Sequence, residues 1–319
     1  MKLQVYEEKN QEIREAYLKA KAENPEKFER RIDMAYCANM FGWEELEQSL
    51  ERIARCGYGF AEMRGNYGGP DTGDQTDTKG VRKMLDDLGL KCSGINSFFA
   101  QGHALNSPDN FARQRAKDYI RNTVKYCHDL GGTFMLVTPS CMNMPVPFDC
   151  SDYERSVETL RSVADVFVEY GIKCSLEPVM DPPNPLCHRV DDCLQYIKDV
   201  NHPGVQHING DIGHFALGED HTAEAILKCG ERMVNCHIRD TNGKSIGKGM
   251  MDMDTVIMAM YLVGQNQEGR FVSVEVNPDP SLAPLVAISS RHDPKKLDVV
   301  CRENIEYFRE REEEVRNLH

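Results

Sequence analysis

The chain has 319 residues, 40% of them hydrophobic, with 51 acidic against 38 basic side chains and a formal net charge of −13. That supplies a large core, and the negative balance without any basic block argues against a nucleic-acid backbone as partner while suiting a protein that holds a divalent cation. The 12 cysteines are scattered with no CxxC pair, and no apolar run has signal-peptide or membrane-spanning length; the expectation is a cytoplasmic chain with reduced, core-packed thiols and no membrane contact.

In chain order, residues 7–23 are charged and helix-prone until Asn24-Pro25 interrupts them, so residues 1–30 are read as an N-terminal helical extension before a domain at 31–319. Strand-like runs follow at 32–37, 59–64, 90–98, 133–138, 172–179, 204–209, 233–238 and 271–276, each followed by a helical stretch. Trp43 opens the first of these helices, where packing is its expected role. In the helix near 110–130, Ala112, Ala116, Tyr119, Thr123, Cys127 and Leu130 recur at helical spacing and should cover a sheet. Gly171 closes the helix from 152 as a C-cap. Eight such units without a linker predict an α/β fold, a (β/α)8 TIM barrel. The first strand leads into "CANMFGWEE", which has no glycine pattern to cradle a phosphate.

A barrel carries its chemistry at the C-terminal ends of its strands. Those ends hold Glu177 in "CSLEPV", Asp211 in "INGDIGH", His237 in "VNCHIRD" and Glu275 in "VSVEVN". Taken alone, each reads equally well as a cap or an ion-pair partner, and Asp211 before a helix is above all a cap. Together, three carboxylates and an imidazole at one mouth are costly to bury unless they share a metal; the oxygen-rich set suits Mn²⁺, with Mg²⁺ or Co²⁺ as alternatives. His214, three residues after Asp211, is a candidate for substrate contact or proton handling, with Gly213 allowing a tight loop. Arg239 lies on the face of His237 by alternation and either neutralises a substrate oxyanion or pairs with Glu275 or Asp211. Asp240 is the expected partner of His237. His103, beyond Phe98 and Phe99 on the third loop, is either a general base or an ordinary loop histidine. Glu62 and Arg64 are expected to pair across the mouth, followed by a glycine-rich loop. A scaffold with a purely structural metal is the non-enzymatic alternative.

The segments "LEPV", "GDIGHF", "CHIRDTNGKSIGKGMMDMDTV" and "FVSVEVNP" resemble, over roughly residues 30–312, the sugar isomerase and epimerase family with a xylose-isomerase-like barrel. The resemblance implies metal ligation by Glu177, Asp211, His237 and Glu275, catalytic work by Glu177 and Glu275, and a metal-stabilised enediolate formed from an oxo-sugar. Two motif positions depart from the ketose 3-epimerases: Pro183 stands where a second glutamate is expected, with Asp181 the nearest substitute, and Gly243 stands where a basic residue is expected. With the charged N-terminus, these departures resemble the catalytic subunit of bacterial C-glycoside deglycosidases. That likeness implies a lyase that removes the aglycone of a 3-oxo-C-glycoside, an oligomer, and a smaller β-rich partner subunit. A keto-sugar isomerase or epimerase, or an inosose-type dehydratase, is the alternative reaction on the same site.

Overall fold

The structure, a computed structural model, describes residues 4–65, 77–142, 144, 146–179 and 186–319. Eight parallel strands form a closed barrel in sequential order: β1 Asp33–Cys37, β2 Phe60–Arg64, β3 Lys91–Asn96, β4 Phe134–Val137, β5 Lys173–Leu176, β6 His207–Asp211, β7 Met233–Ile238 and β8 Phe271–Val274. The (β/α)8 barrel expected from the alternation is therefore the fold. Most strands are shorter than the apolar runs that announce them, because the runs continue into the loops that carry the functional side chains. β7 matches its run, and β6 is shifted beyond its own. Its run ends at Asn209, yet Gly210 and Asp211 still pair with Cys236 and His237 of β7.

Helices cover the barrel with apolar faces and start behind aspartates that accept backbone N–H bonds. Asp77 accepts from Gly80, Asp109 from Phe111, Asp252 from Thr255 and Asp293 from Lys295, each satisfying a donor the helix start leaves open. On the helix Asn110–Asp129 the buried face contains Ala112, Ala116, Tyr119, Thr123 and Cys127 as the spacing required. Gly171 has φ 66° and ends its helix in the left-handed conformation. Trp43, in contrast, is 64% exposed: its ring does not pack, and its backbone N–H is what ties this segment to the Ser290 carbonyl at 3.0 Å.

The N-terminal helix Gln4–Glu23 lies against the barrel's own helices. Ile13 and Tyr17 are buried, Tyr17 Oη donates to the Val315 carbonyl at 3.2 Å, and Lys21 Nζ donates to the carbonyls of Arg316 and Leu318 at 2.7 Å. Phe28 stacks on Tyr261 with centroids 5.9 Å apart. The apolar side of the extension is thus covered by the rest of the chain. The cysteines are free and mostly buried. Among the described residues no helix is long and apolar enough to cross a membrane.

Inside the barrel, the strand starts hold an aromatic plug. Phe60 meets Phe271 at 4.9 Å, Phe134 lies 6.2 Å from Phe271, and Val234 completes the cluster. A Cβ at Gly94 would fall 2.5 Å from the Phe134 ring, so this position needs glycine for space. The strand ends, above the plug, are polar.

Candidate metal centre

Register brings the expected ligands together. Asp211 is the Cα partner of His237 on β7, and His237 is the partner of Ser273, two residues before Glu275. Glu177 follows β5, its N–H bonded to the Val137 carbonyl at 3.1 Å. His237 Nδ1 then lies 3.2 Å from Glu177 Oε1 and 3.4 Å from Glu275 Oε2. Two buried donor groups have ligand atoms within 4.8 Å of one another: Cys37 with His237 and Glu275, and Glu177 with Asp211 and His214. All four sequence-derived ligands belong to one or the other.

Asp211 is both cap and site residue. Its Oδ1 accepts from the N–H of Gly213 at 2.7 Å and of His214 at 3.3 Å, starting the helix Ile212–Gly218. Its Oδ2 is buried 2.6 Å from Arg239 Nη2, yet that contact is too poorly aligned to count as a hydrogen bond, so the oxygen has charge compensation without a bonded donor. Such a buried, under-coordinated carboxylate oxygen, beside two further carboxylates and an imidazole, fits a hard divalent cation such as Mn²⁺, Mg²⁺ or Co²⁺.

Of the roles the alternation left open, Arg239 shows the pairing, and with both carboxylates. It spans Asp211 and Glu275, with Nη1 donating to Glu275 Oε2 at 3.2 Å, and donates to His214 Nε2 at 3.1 Å. Gly213 is required for a different reason from the tight loop expected: a Cβ there would fall 2.2 Å from Arg239 Nε. Asn96 Nδ2 donates to the other Glu275 oxygen at 3.0 Å.

Electrostatics point the same way. Burial pushes Glu275 up to about 7, opposed by His237 and Arg239. Burial would also raise Asp211, but Arg239, His214 and His237 outweigh it and hold that carboxyl below its ordinary range. For His237 burial opposes a charge, while Glu275 and Glu62 favour it, and the balance lies well above the usual imidazole value. The cluster concentrates negative charge around Nδ1, where a cation is stabilised.

Three expectations are corrected. The partner of His237 is Glu62, not Asp240: Nε2 lies 2.9 and 3.1 Å from the two Glu62 oxygens. Asp240 instead accepts from the N–H groups of Thr241, Gly247 and Met251 and shapes the following loop. Glu62 accordingly faces into the barrel, and does not pair with Arg64, which is exposed at the strand end. His103 is neither a surface histidine nor part of the cavity wall: it is buried under Tyr119, ring centroids 4.9 Å apart, with Nε2 2.9 Å from the Phe98 carbonyl. Asp181 and Pro183 lie outside the described residues.

The residues missed from sequence form a layer beneath the ligands. Ser273 Oγ donates to Asn235 Oδ1 at 2.9 Å, and Asn235 Nδ2 donates to Asn209 Oδ1 at 2.8 Å and Glu62 Oε2 at 3.1 Å. Asn209 Nδ2 donates to Glu177 Oε1 at 2.7 Å and lies 3.2 Å from His237 Nδ1. A signal was present: Asn209, Asn235 and Ser273 each stand two positions before a ligand, polar residues on the same strand face within apolar runs.

Above the cluster opens a cavity of about 490 Å³, within the size range of small-molecule sites. Glu177, His214, Arg239 and Glu275 line its floor, and Met40, Phe98, Met142, Leu282 and Ile288 contribute apolar wall.

Residues 50–298 match the family described as xylose isomerase-like TIM barrel. The chain belongs to the xylose isomerase-like TIM barrel family. A D-psicose 3-epimerase of Agrobacterium fabrum (strain C58 / ATCC 33970) is 24% identical over 217 residues, 66% of this chain and 73% of that protein. Among solved structures, a D-allulose 3-epimerase from Methylomonas sp. in complex with D-allulose superposes with TM-score 0.75 at 18% identity, covering 88% of this chain and 98% of that one. A 3-keto-D-glucoside 4-epimerase from E. coli superposes with TM-score 0.70 at 17% identity, covering 88% and 100%. At these identities the structural likeness establishes the barrel architecture shared by the xylose isomerase-like family.

Proposed function

We propose that the chain is a divalent-metal-dependent isomerase or epimerase of keto-sugars that removes a proton from the carbon beside the carbonyl. The observation that carries this reading is the convergence of Glu177, Asp211, His237 and Glu275 beneath one cavity, with Glu177 and Glu275 forming part of its wall. A divalent cation held by these residues supplies Lewis acidity to a carbonyl and an adjacent hydroxyl oxygen. Glu275, which faces the cavity, takes the proton from carbon. Glu177, just after β5 and also on the cavity wall, is the second carboxylate and returns a proton to that carbon. Arg239 carries a fixed positive charge at the cavity floor, where it neutralises a developing oxyanion, and His214 beside it orients a substrate hydroxyl. The epimerase names of the relatives support proton removal and return over elimination.

Elimination from an oxo-glycoside is the second reading, favoured by one feature: the apolar wall of Met40, Phe98, Met142, Leu282 and Ile288 offers contact to a substituent that a free sugar lacks. The keto-glucoside in the name of the E. coli structure is consistent with a glycosidic substrate. In that reading a smaller β-rich subunit is also required, and light scattering with the neighbouring gene product tests it.

The deciding experiment incubates the Mn²⁺-loaded protein in D₂O with D-fructose, D-tagatose, D-allulose and a 3-oxo-C-glycoside, followed by NMR. Metal-dependent deuterium at the carbon beside the carbonyl, with a new epimer or isomer, is expected. Glu275→Gln should lower that rate by roughly 10²- to 10⁴-fold. Free aglycone without epimer selects the second reading, and no metal-dependent exchange with any substrate overturns both.

A further inference from the structure

Glu62 is a fully buried carboxylate outside the cavity wall, so it touches neither solvent nor a substrate in the cavity. Burying a charge at a barrel centre is costly unless it is paired and hydrogen-bonded. Here both oxygens face a single nitrogen, His237 Nε2, at 2.9 and 3.1 Å, and Asn235 Nδ2 donates to Oε2 at 3.1 Å. A carboxylate accepts and does not donate, so Nε2 carries the proton. The amide layer fixes the other side of the ring independently. Ser273 Oγ donates to Asn235 Oδ1, which turns the Asn235 amide nitrogen toward Asn209 Oδ1. The Asn209 amide nitrogen is thereby turned toward Glu177 Oε1 and His237 Nδ1. Nε2 thus faces the Glu62 carboxylate, while Nδ1 faces the Asn209 amide nitrogen and points toward the carboxylates of Glu177 and Glu275.

We propose that Glu62 is a positioning residue: it fixes the orientation of the His237 ring and its protonated nitrogen, so that the Nδ1 lone pair is presented to the divalent metal. The inference rests on the metal-binding reading above and deepens it by naming the residue that sets ligand basicity. A histidine ligand whose far N–H is held by a carboxylate is both better oriented and a stronger donor, and loss of such a partner costs roughly 10- to 100-fold in metal affinity. Glu62 also adds a negative charge close to the ligand set without occupying a coordination position.

The test is Mn²⁺ binding by calorimetry, with the metal alone as probe, on the full chain and on Glu62→Leu and Glu62→Gln. Leu removes the acceptor and should weaken Mn²⁺ roughly 10- to 100-fold. Gln keeps one acceptor oxygen for Nε2–H and should recover part of the loss, a graded response that a merely structural role does not produce. Substitution by Co²⁺ adds a spectroscopic readout: the visible bands should shift in Glu62→Leu as the imidazole donor changes. If the Leu variant does not fold, Glu62→Gln alone must still bind more weakly than the unsubstituted chain. Unchanged Mn²⁺ affinity in the folded variants overturns the inference while the metal reading stands. No Mn²⁺ uptake by the unsubstituted chain overturns the metal reading itself, and this inference with it.

Discussion

The two ends of the barrel interior are built from the same strands to opposite specifications. At the strand starts, Phe60, Phe134 and Phe271 meet with Val234 in an apolar plug whose only task is packing. A few residues further along the same strands, Glu62, Asn235, His237, Ser273 and Glu275 form a hydrogen-bonded polar column. Both ends are buried, so burial does not separate stability from function here; the chemistry of the buried groups does. The plug lowers free energy by removing apolar surface from water. The column holds carboxylates that repel one another, and it tolerates that cost because His237, Arg239 and the amide nitrogens of Asn96 and Asn235 face them.

The contrast is most strongly tested at the plug. Phe271→Ala should cost roughly 3–5 kcal/mol, since an aromatic core residue leaves a cavity that relaxes only in part. Its Mn²⁺ affinity in the folded fraction should stay within about twofold, because the polar column is untouched. Denaturant unfolding and calorimetry on the same sample read both. A large loss of metal affinity would mean that the two ends are energetically one unit.

The second test acts on the polar end alone. Mn²⁺ at about one hundred times its Kd should stabilise the folded chain by roughly 2.7 kcal/mol, and chelation should reverse it. His237→Ala should abolish this metal-dependent shift in thermal midpoint while far-UV circular dichroism retains the barrel signal. An undiminished shift in His237→Ala would remove that imidazole from the ligand set.

The smallest expected effect is a pH dependence of the metal-free protein. Because burial raises Glu275 to about 7 when folded, the folded chain binds more protons than the unfolded chain between the two values. Stability from this group therefore falls as pH rises through that window. From about pH 6 to about pH 7.5 the loss should be ~1 kcal/mol. Glu275→Gln should flatten the slope, and saturating Mn²⁺ should do the same by stabilising the carboxylate. A slope unchanged by the substitution assigns the effect to another group.

Much of this molecule was legible in its amino-acid order. Strand and helix periods specified a (β/α)8 barrel because packing between a sheet and its covering helices imposes those periods on the chain itself. The four ligand candidates were legible for a related reason: charged residues closing apolar strands are rare, and the barrel fixes which end of each strand faces the cavity. Partnerships were a different matter. The family-like motif after the seventh strand paired His237 with Asp240, but the chain turns after Ile238 and Asp240 is consumed by the N–H groups of its own loop. Glu62 reaches His237 instead from 175 residues away in sequence, across the barrel interior. His103, on the long third loop, read as either a general base or an ordinary loop histidine; folding turns it under Tyr119 and toward the Phe98 carbonyl, since a buried imidazole takes a nearby acceptor. Sequence alone thus determined the architecture and the candidate ligand positions, which follow from local periodicity and strand polarity. Only the closed barrel decided which polar groups face one another, because those contacts join strands whose relative register no local pattern encodes.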